Sequence, residues 1–153
     1  METVATNRIL QGIRDTKYLF IDKPIVLGGL ALEYYGIRSS GPNFDYIVSS
    51  KDWNNLEKAF PDKINAFGGN SKYGSKINLH DNLQINLISN CFNFNYDEIS
   101  KNALEFEFFK IIDLEKQLLI KTLSAVNNND MKSKNDQKFI VNYIVNHSLN
   151  KSN

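Results

Sequence analysis

Two short segments of this chain hold residues suited to a phosphate ester. They are Leu27-Gly28-Gly29 and, about a dozen residues later, Asn43-Phe44-Asp45. A glycine pair where a strand turns into a helix lets backbone amides approach phosphate oxygens, and the helix N-terminus adds a favourable dipole. A carboxylate opening the next strand can face that turn and hold a metal on the same phosphates. Asp45 is that carboxylate, and Asn43 presents an amide two residues before it. Both segments also have plain structural readings. A glycine pair can simply allow tight packing at a turn. Asp45 can equally bond to Arg38 or to a loop amide.

These residues need a strand, a turn, a helix and a second strand to position them. The apolar run 25–27 reads as the first strand, set off by the turn signal Asp22-Lys23-Pro24. Residues 30–35 read as a short helix with Gly36 as its C-cap, and 44–49 as the second strand. Before them, 3–14 has helical spacing, with Ile9, Leu10 and Ile13 on one side. After them, a helix opens at 50–53 with a good capping residue, and Pro61 ends it. Strands are expected over 64–67, 76–79 and 83–89, with turns at 68–70 and 81–82. A helix over 97–104 and a strand over 106–112 follow. The closing helices are expected over 113–126, with Leu114, Leu118, Leu119 and Leu123 on the buried face, and over 135–148, with Phe139, Ile140, Tyr143 and Ile144 inward. Residues 127–129 are read as a loop, and the tail from 150 as frayed. The expected fold is α/β (α+β): a mixed, twisted sheet flanked by helices, with strands 25–27 and 44–48 adjacent and two helices at the C-terminal end. Length points to a single domain over 1–153.

The order of strand, glycine pair, short helix and a strand opening on Asn-x-Asp resembles the nucleotidyltransferase-fold superfamily, and in particular its minimal, stand-alone members. The family pattern is a hydrophobic residue, Gly, Gly or Ser, a dozen or so residues, then Asp-x-Asp. A third carboxylate follows in a later strand between apolar residues. Ile85-Asn86-Leu87 is its best counterpart here. The segment 111–121 looks like the helix after the family's sheet, with Lys121 and Asn135-Asp136 similar to a late lysine and a Lys-Asx pair. The resemblance spans roughly residues 22–145. The glycine pair's place before a helix and its spacing to Asn43-Phe44-Asp45 favour the family reading over mere packing.

That resemblance implies catalytic positions at Asn43, Asp45 and Asn86, with Asp45 as the metal ligand. It implies nucleotide binding by Gly28, Gly29, Arg38, Ser39 and Ser40. The bland alternatives are a solvated loop at 38–40, an ordinary sheet residue at Asn86 and a helix-surface charge at Lys121. At the three carboxylate positions this chain carries one charge instead of three. An amide oxygen can ligate a cation but brings no charge. Two unit charges about 4 Å apart interact by roughly 4 kcal/mol at an effective dielectric of about 20. The resemblance therefore implies weak Mg2+ binding and loss of the two-metal reaction. The expected function is a catalytically impaired nucleotidyltransferase-like protein that binds a nucleotide, a nucleic acid end or a protein partner. The alternatives are an active, divergent metal-dependent nucleotidyltransferase and a structural or assembly protein that keeps the fold.

Composition excludes little more. Net charge is +1, hydrophobic content 42% and charged content 23%, all ordinary for a soluble globular protein. No apolar run approaches membrane-spanning length, and residues 1–8 lack the pattern of a signal peptide. Cys91 is the single cysteine and reads as a buried apolar residue in a reducing compartment. His80 and His147 lack metal-ligand spacing to another His or Cys. The aromatics between Cys91 and Tyr96 and over 106–109 read as core, with some left to suit a partner surface. The 21 asparagines fit an AT-rich coding genome, viral or microbial. The expected location is cytoplasmic: bacterial cytoplasm, or host cytoplasm or the virion for a viral source.

Overall fold

A computed structural model describes residues 3–67, 73–80 and 85–151. The turns expected at 68–70 and 81–82 lie outside the described residues. The chain comprises two compact units, Met1–Asp113 and Leu114–Asn153.

The first unit opens with helix α1 (Val4–Thr16), which ends two residues later than the spacing implied. Thr3 caps it: its hydroxyl oxygen accepts from the Thr6 N–H at 3.0 Å, the usual way to satisfy an orphan donor of the first turn. Then follow β1 (Ile25–Leu27), α2 (Gly29–Tyr34), β2 (Phe44–Ile47), α3 (Ser50–Ala59), β3 (Ile64–Ala66), β4 (Ser75–His80), β5 (Ile85–Ile88), α4 (Tyr96–Ser100), β6 (Leu104–Glu105) and β7 (Lys110–Ile111). The strands form one open, mixed sheet in the order β3-β4-β5-β2-β1-β7-β6. β1 runs antiparallel to β2 and parallel to β7, and β2 runs parallel to β5. Every residue of β1 and β5 is buried, so both faces are covered at the centre. This is the expected mixed α/β architecture, with strands 25–27 and 44–47 adjacent.

Strand alternation fixes what each face of β2 does. Phe44 and Tyr46 turn toward α1. There Gly12 leaves room that a Cβ would fill against Tyr46 Oη and Phe44, and Tyr46 Oη donates to the Ile9 carbonyl at 2.8 Å. Asp45 and Ile47 turn to the other face.

One stretch differs from the sequence reading. Residue types over 106–112 predict a single strand. Instead Leu104–Glu105 pairs antiparallel with Lys110–Ile111, and the Phe106 N–H closes the turn on the Phe109 carbonyl at 2.9 Å. Stacked Phe106 and Phe109 rings, 4.9 Å apart, brace it. Pairing takes Leu104 out of the preceding helix, which ends at Ser100.

The second unit is a pair of helices, α5 (Leu114–Asn128) and α6 (Met131–Lys151). The loop expected at 127–129 shrinks because Asp130 starts α6 early. Its carboxylate accepts from the Lys132 N–H at 3.1 Å and the Ser133 hydroxyl at 2.6 Å. The Ser133 bond holds the Asp130 carboxyl below the usual range. The buried stripe differs in phase on α5, and on α6 the expected Ile140 shares it with polar residues. Gln117, Ile120 and Ala125 are buried on α5, and Ser133, Asp136 and Ile140 on α6, while Leu119 and Phe139 stand about half exposed. Apolar residues alone mislead because a polar pair faces inward. Lys121 Nζ lies 3.0 Å from Asp136 Oδ2, with both side chains largely buried. Lys121 is thus a buried ion-pair partner, not a surface charge.

Candidate functional site

The strand directions decide which residues can meet. The end of β1 lies beside the starts of β2 and β5, because β1 opposes β2 and β2 follows β5. In register, Leu27 pairs with Asp45, Asp45 with Asn86, and Asn86 with Asn78. Directly paired residues project to the same face of a sheet. Asp45, Asn86 and Asn78 therefore form a polar row beside the turn after β1.

Gly28 makes that turn with φ 72° and ψ −146°, a conformation that essentially only glycine adopts. A Cβ there would also come 2.7 Å from Asp45 Oδ2. Asp45 Oδ1 accepts from Asn86 Nδ2 at 2.9 Å. Gly28→Ala should accordingly cost about 2 kcal/mol or more of stability, from backbone strain and the clash with the carboxylate. Denaturant midpoints measure it. A loss under about 0.5 kcal/mol would mean that the turn and Asp45 give way freely.

The loop after α2 closes the other side. A Cβ on Gly29 would come 3.0 Å from Ser40 Oγ and 3.5 Å from Arg38 Nη1. The Ser40 N–H donates to Glu33 Oε1 at 3.0 Å, and its hydroxyl donates to the Gly41 carbonyl at 2.8 Å. Arg38 Nη1 also donates to the Ser39 carbonyl. Ser39 is exposed. Asn43 is exposed just before β2 and makes no hydrogen bond to Asp45 or Asn86. So Gly28, Gly29, Arg38, Ser40, Asp45 and Asn86 converge, while Ser39 and Asn43 stand at the edge.

Three participants had no signal in the sequence. Arg8 of α1 lies 3.7 Å from Glu33 Oε1 and donates to the Gly41 carbonyl at 3.3 Å. Glu33 ties the loop to α2. Asn78 joins the row only through the pairing of β4 with β5. Among the described residues the side-chain oxygens Asn86 Oδ1, Asn78 Oδ1 and Glu33 Oε2 are buried without a hydrogen-bond partner.

This donor set does not fit a pair of metal ions. Among the described residues no three His, Cys, Asp or Glu side chains gather as a metal site. Asp45 contributes the only charge among the three resembling positions, and one of its oxygens already accepts from Asn86.

A second concavity lies at the other end of the same strands. It is a cleft of about 610 Å³ whose lining includes Asp22, Ser49, Lys51, Trp53, Ser89 and Asp97. Asp22 precedes β1, and Ser49 and Ser89 follow β2 and β5, so the length of the strands separates the cleft from Gly28 and Asp45. Cys91 is fully buried, and burial pushes its thiol well above the usual range. No helix among the described residues is long and apolar enough to cross a membrane. Comparison with protein families, with curated proteins and with solved structures finds no match to this chain.

Proposed function

We propose that the first unit is a nucleotidyltransferase-like binding scaffold. It holds the phosphates of a nucleotide, free or at a nucleic acid end, at the Gly28–Gly29 turn and does not carry out two-metal transfer. The observation that carries this reading is the Asp45–Asn86 hydrogen bond at 2.9 Å beside Gly28. An amide that donates to the one carboxylate among positions 43, 45 and 86 neutralises none of its charge, yet takes up one of the oxygens a metal would need. Mg2+, if bound, is held weakly. Arg38, whose Nη1 lies beside Gly29, supplies a cation with further N–H donors suited to phosphate oxygens.

Equilibrium dialysis of the full chain with ATP, GTP, CTP and UTP, in chelator, tests this. Binding of at least one, weakened about tenfold by Arg38→Ala, is the expected result. Absence of binding overturns the reading. Robust magnesium-dependent transfer by the unmodified chain, abolished by Asp45→Ala, would replace it with the divergent-enzyme alternative.

A further inference from the structure

The cleft at the far end of the sheet is lined by residues of both charge signs. Asp22 and Asp97 are the acidic ones and Lys51 is the basic one. α3 begins at this wall, and its first turn leaves the Ser50 and Lys51 N–H groups without helical acceptors. Between these charges stand Ser50, Ser75 and Asn90, with Trp53 and Tyr96 as aromatic walls.

Hydrogen bonds hold both aromatic side chains. Tyr96 Oη donates to the Lys23 carbonyl at 2.7 Å. Burial first, and then Asp22, Asp52, Asp97 and Glu105, push that phenol up to about 12, so it stays a donor. Trp53 Nε1 donates to Glu57 Oε2 at 3.0 Å. Asp22 is held by its N–H, which donates to Asp52 Oδ2 at 3.0 Å.

This lining selects by exclusion. A phosphate or carboxylate would meet Asp22 and Asp97. A cation would meet Lys51 and the positive end of α3. A neutral ring bearing several hydroxyls suits both halves, because each hydroxyl donates to a carboxylate and accepts from an ammonium or N–H. Its C–H face suits an aromatic wall, and the volume suits a small ligand. We propose that this cleft is a binding site for a polyhydroxylated ring, either a free saccharide or the sugar of a nucleoside. It is separate from the Gly28–Asp45 site and stands whether or not that site binds phosphates.

Trp53 is the only tryptophan of the chain, so its fluorescence reports this cleft directly. The full chain is titrated with glucose, galactose, mannose, N-acetylglucosamine and adenosine, and with inorganic phosphate and spermidine as charged probes. The expected result is a saturable change with at least one saccharide or with adenosine, and none of comparable affinity with phosphate or spermidine. Response to adenosine but to no hexose assigns the sugar of a nucleoside. Asp97→Asn and Lys51→Met, both at exposed positions, should each weaken that response about tenfold, as expected for one charge-assisted hydrogen bond. Near-ultraviolet circular dichroism checks that both variants keep the native packing. The proposal is overturned if no sugar-bearing probe gives a saturable response. A response undiminished in both folded variants, or matched by phosphate or spermidine, overturns it as well.

Discussion

Asp52→Ala is expected to cost about 3 to 5 kcal/mol, a large part of the total stability of a domain this size. Asp52 is fully buried. Its Oδ1 accepts from Tyr18 Oη at 2.6 Å and from the Ile21 N–H at 2.9 Å, and its Oδ2 accepts from the Asp22 N–H at 3.0 Å. Alanine would leave these three donors without their acceptor, each costing about 1 to 3 kcal/mol where water cannot replace it. It would also remove a carboxylate from the first turn of α3. The segment between α1 and β1 has no helix or strand of its own, and Leu19 and Ile21 point into solvent. The carboxylate therefore substitutes for an apolar anchor there. Burial and the bond to Asp52 both raise the Tyr18 phenol above its ordinary range. Asp52→Asn, which keeps one acceptor oxygen, should lose roughly half as much. Urea unfolding of the three proteins decides it. A loss below about 1 kcal/mol for alanine would show that the segment is anchored by something else.

How much of this could be seen beforehand varies with sequence distance. The β1-turn-α2-β2 stretch was legible because its signals are local. An apolar run, a glycine pair, a cap at Gly36 and an alternating strand lie within about two dozen residues. The Gly36 φ of 77° is what a C-cap glycine supplies. The start of α3 at Ser50 was equally local, although its cap is Ser49, one residue before the segment 50–53. The β6–β7 hairpin was not, because Phe106 to Phe109 read as strand residues by type. Only the turn hydrogen bond and ring stacking make them a bend. The inward face of α5 and α6 was legible only in part: Ile140 is buried as expected, but a buried Lys–Asp pair has the polarity of a surface and gave no sign of facing inward. The far cleft had no signature at all. Its lining comes from five separated segments around residues 22, 49–53, 75, 89–90 and 95–97, each an ordinary polar loop or helix start on its own. Asn78 entered the polar row for the same reason, through strand pairing that no local pattern encodes.

The double change Asn43→Asp and Asn86→Asp should tighten the binding of divalent ions markedly. It should also make the fold depend on them. The Asn86 amide donates to Asp45 Oδ1 at 2.9 Å, so a carboxylate at position 86 replaces an attraction with a repulsion at the same distance. Two like charges about 4 Å apart cost roughly 4 kcal/mol at an effective dielectric of about 20. Part of that will be relieved by protonation of one carboxyl, whose affinity for a proton rises beside the other charge. In chelator at neutral pH the variant should melt well below the unmodified chain. Acidification should narrow the gap, because the folded state then holds the extra proton more tightly than the unfolded state. A divalent ion bridging the carboxylates removes the same repulsion. Saturating Mg2+ or Mn2+ should therefore raise the melting temperature of the variant by several degrees and leave the unmodified chain almost unmoved. Calorimetric titration should show divalent affinity rising at least about a hundredfold, which corresponds to about 2.8 kcal/mol and is less than the full Coulomb estimate because water screens the exposed position 43. Position 86 should carry most of the effect, since Asn86 is buried against Asp45 while Asn43 is exposed. Equal divalent affinity in the two proteins would show that the amides do not limit metal binding. Equal melting in chelator would show that residue 86 and Asp45 do not share the close contact on which the Asp45–Asn86 reading rests.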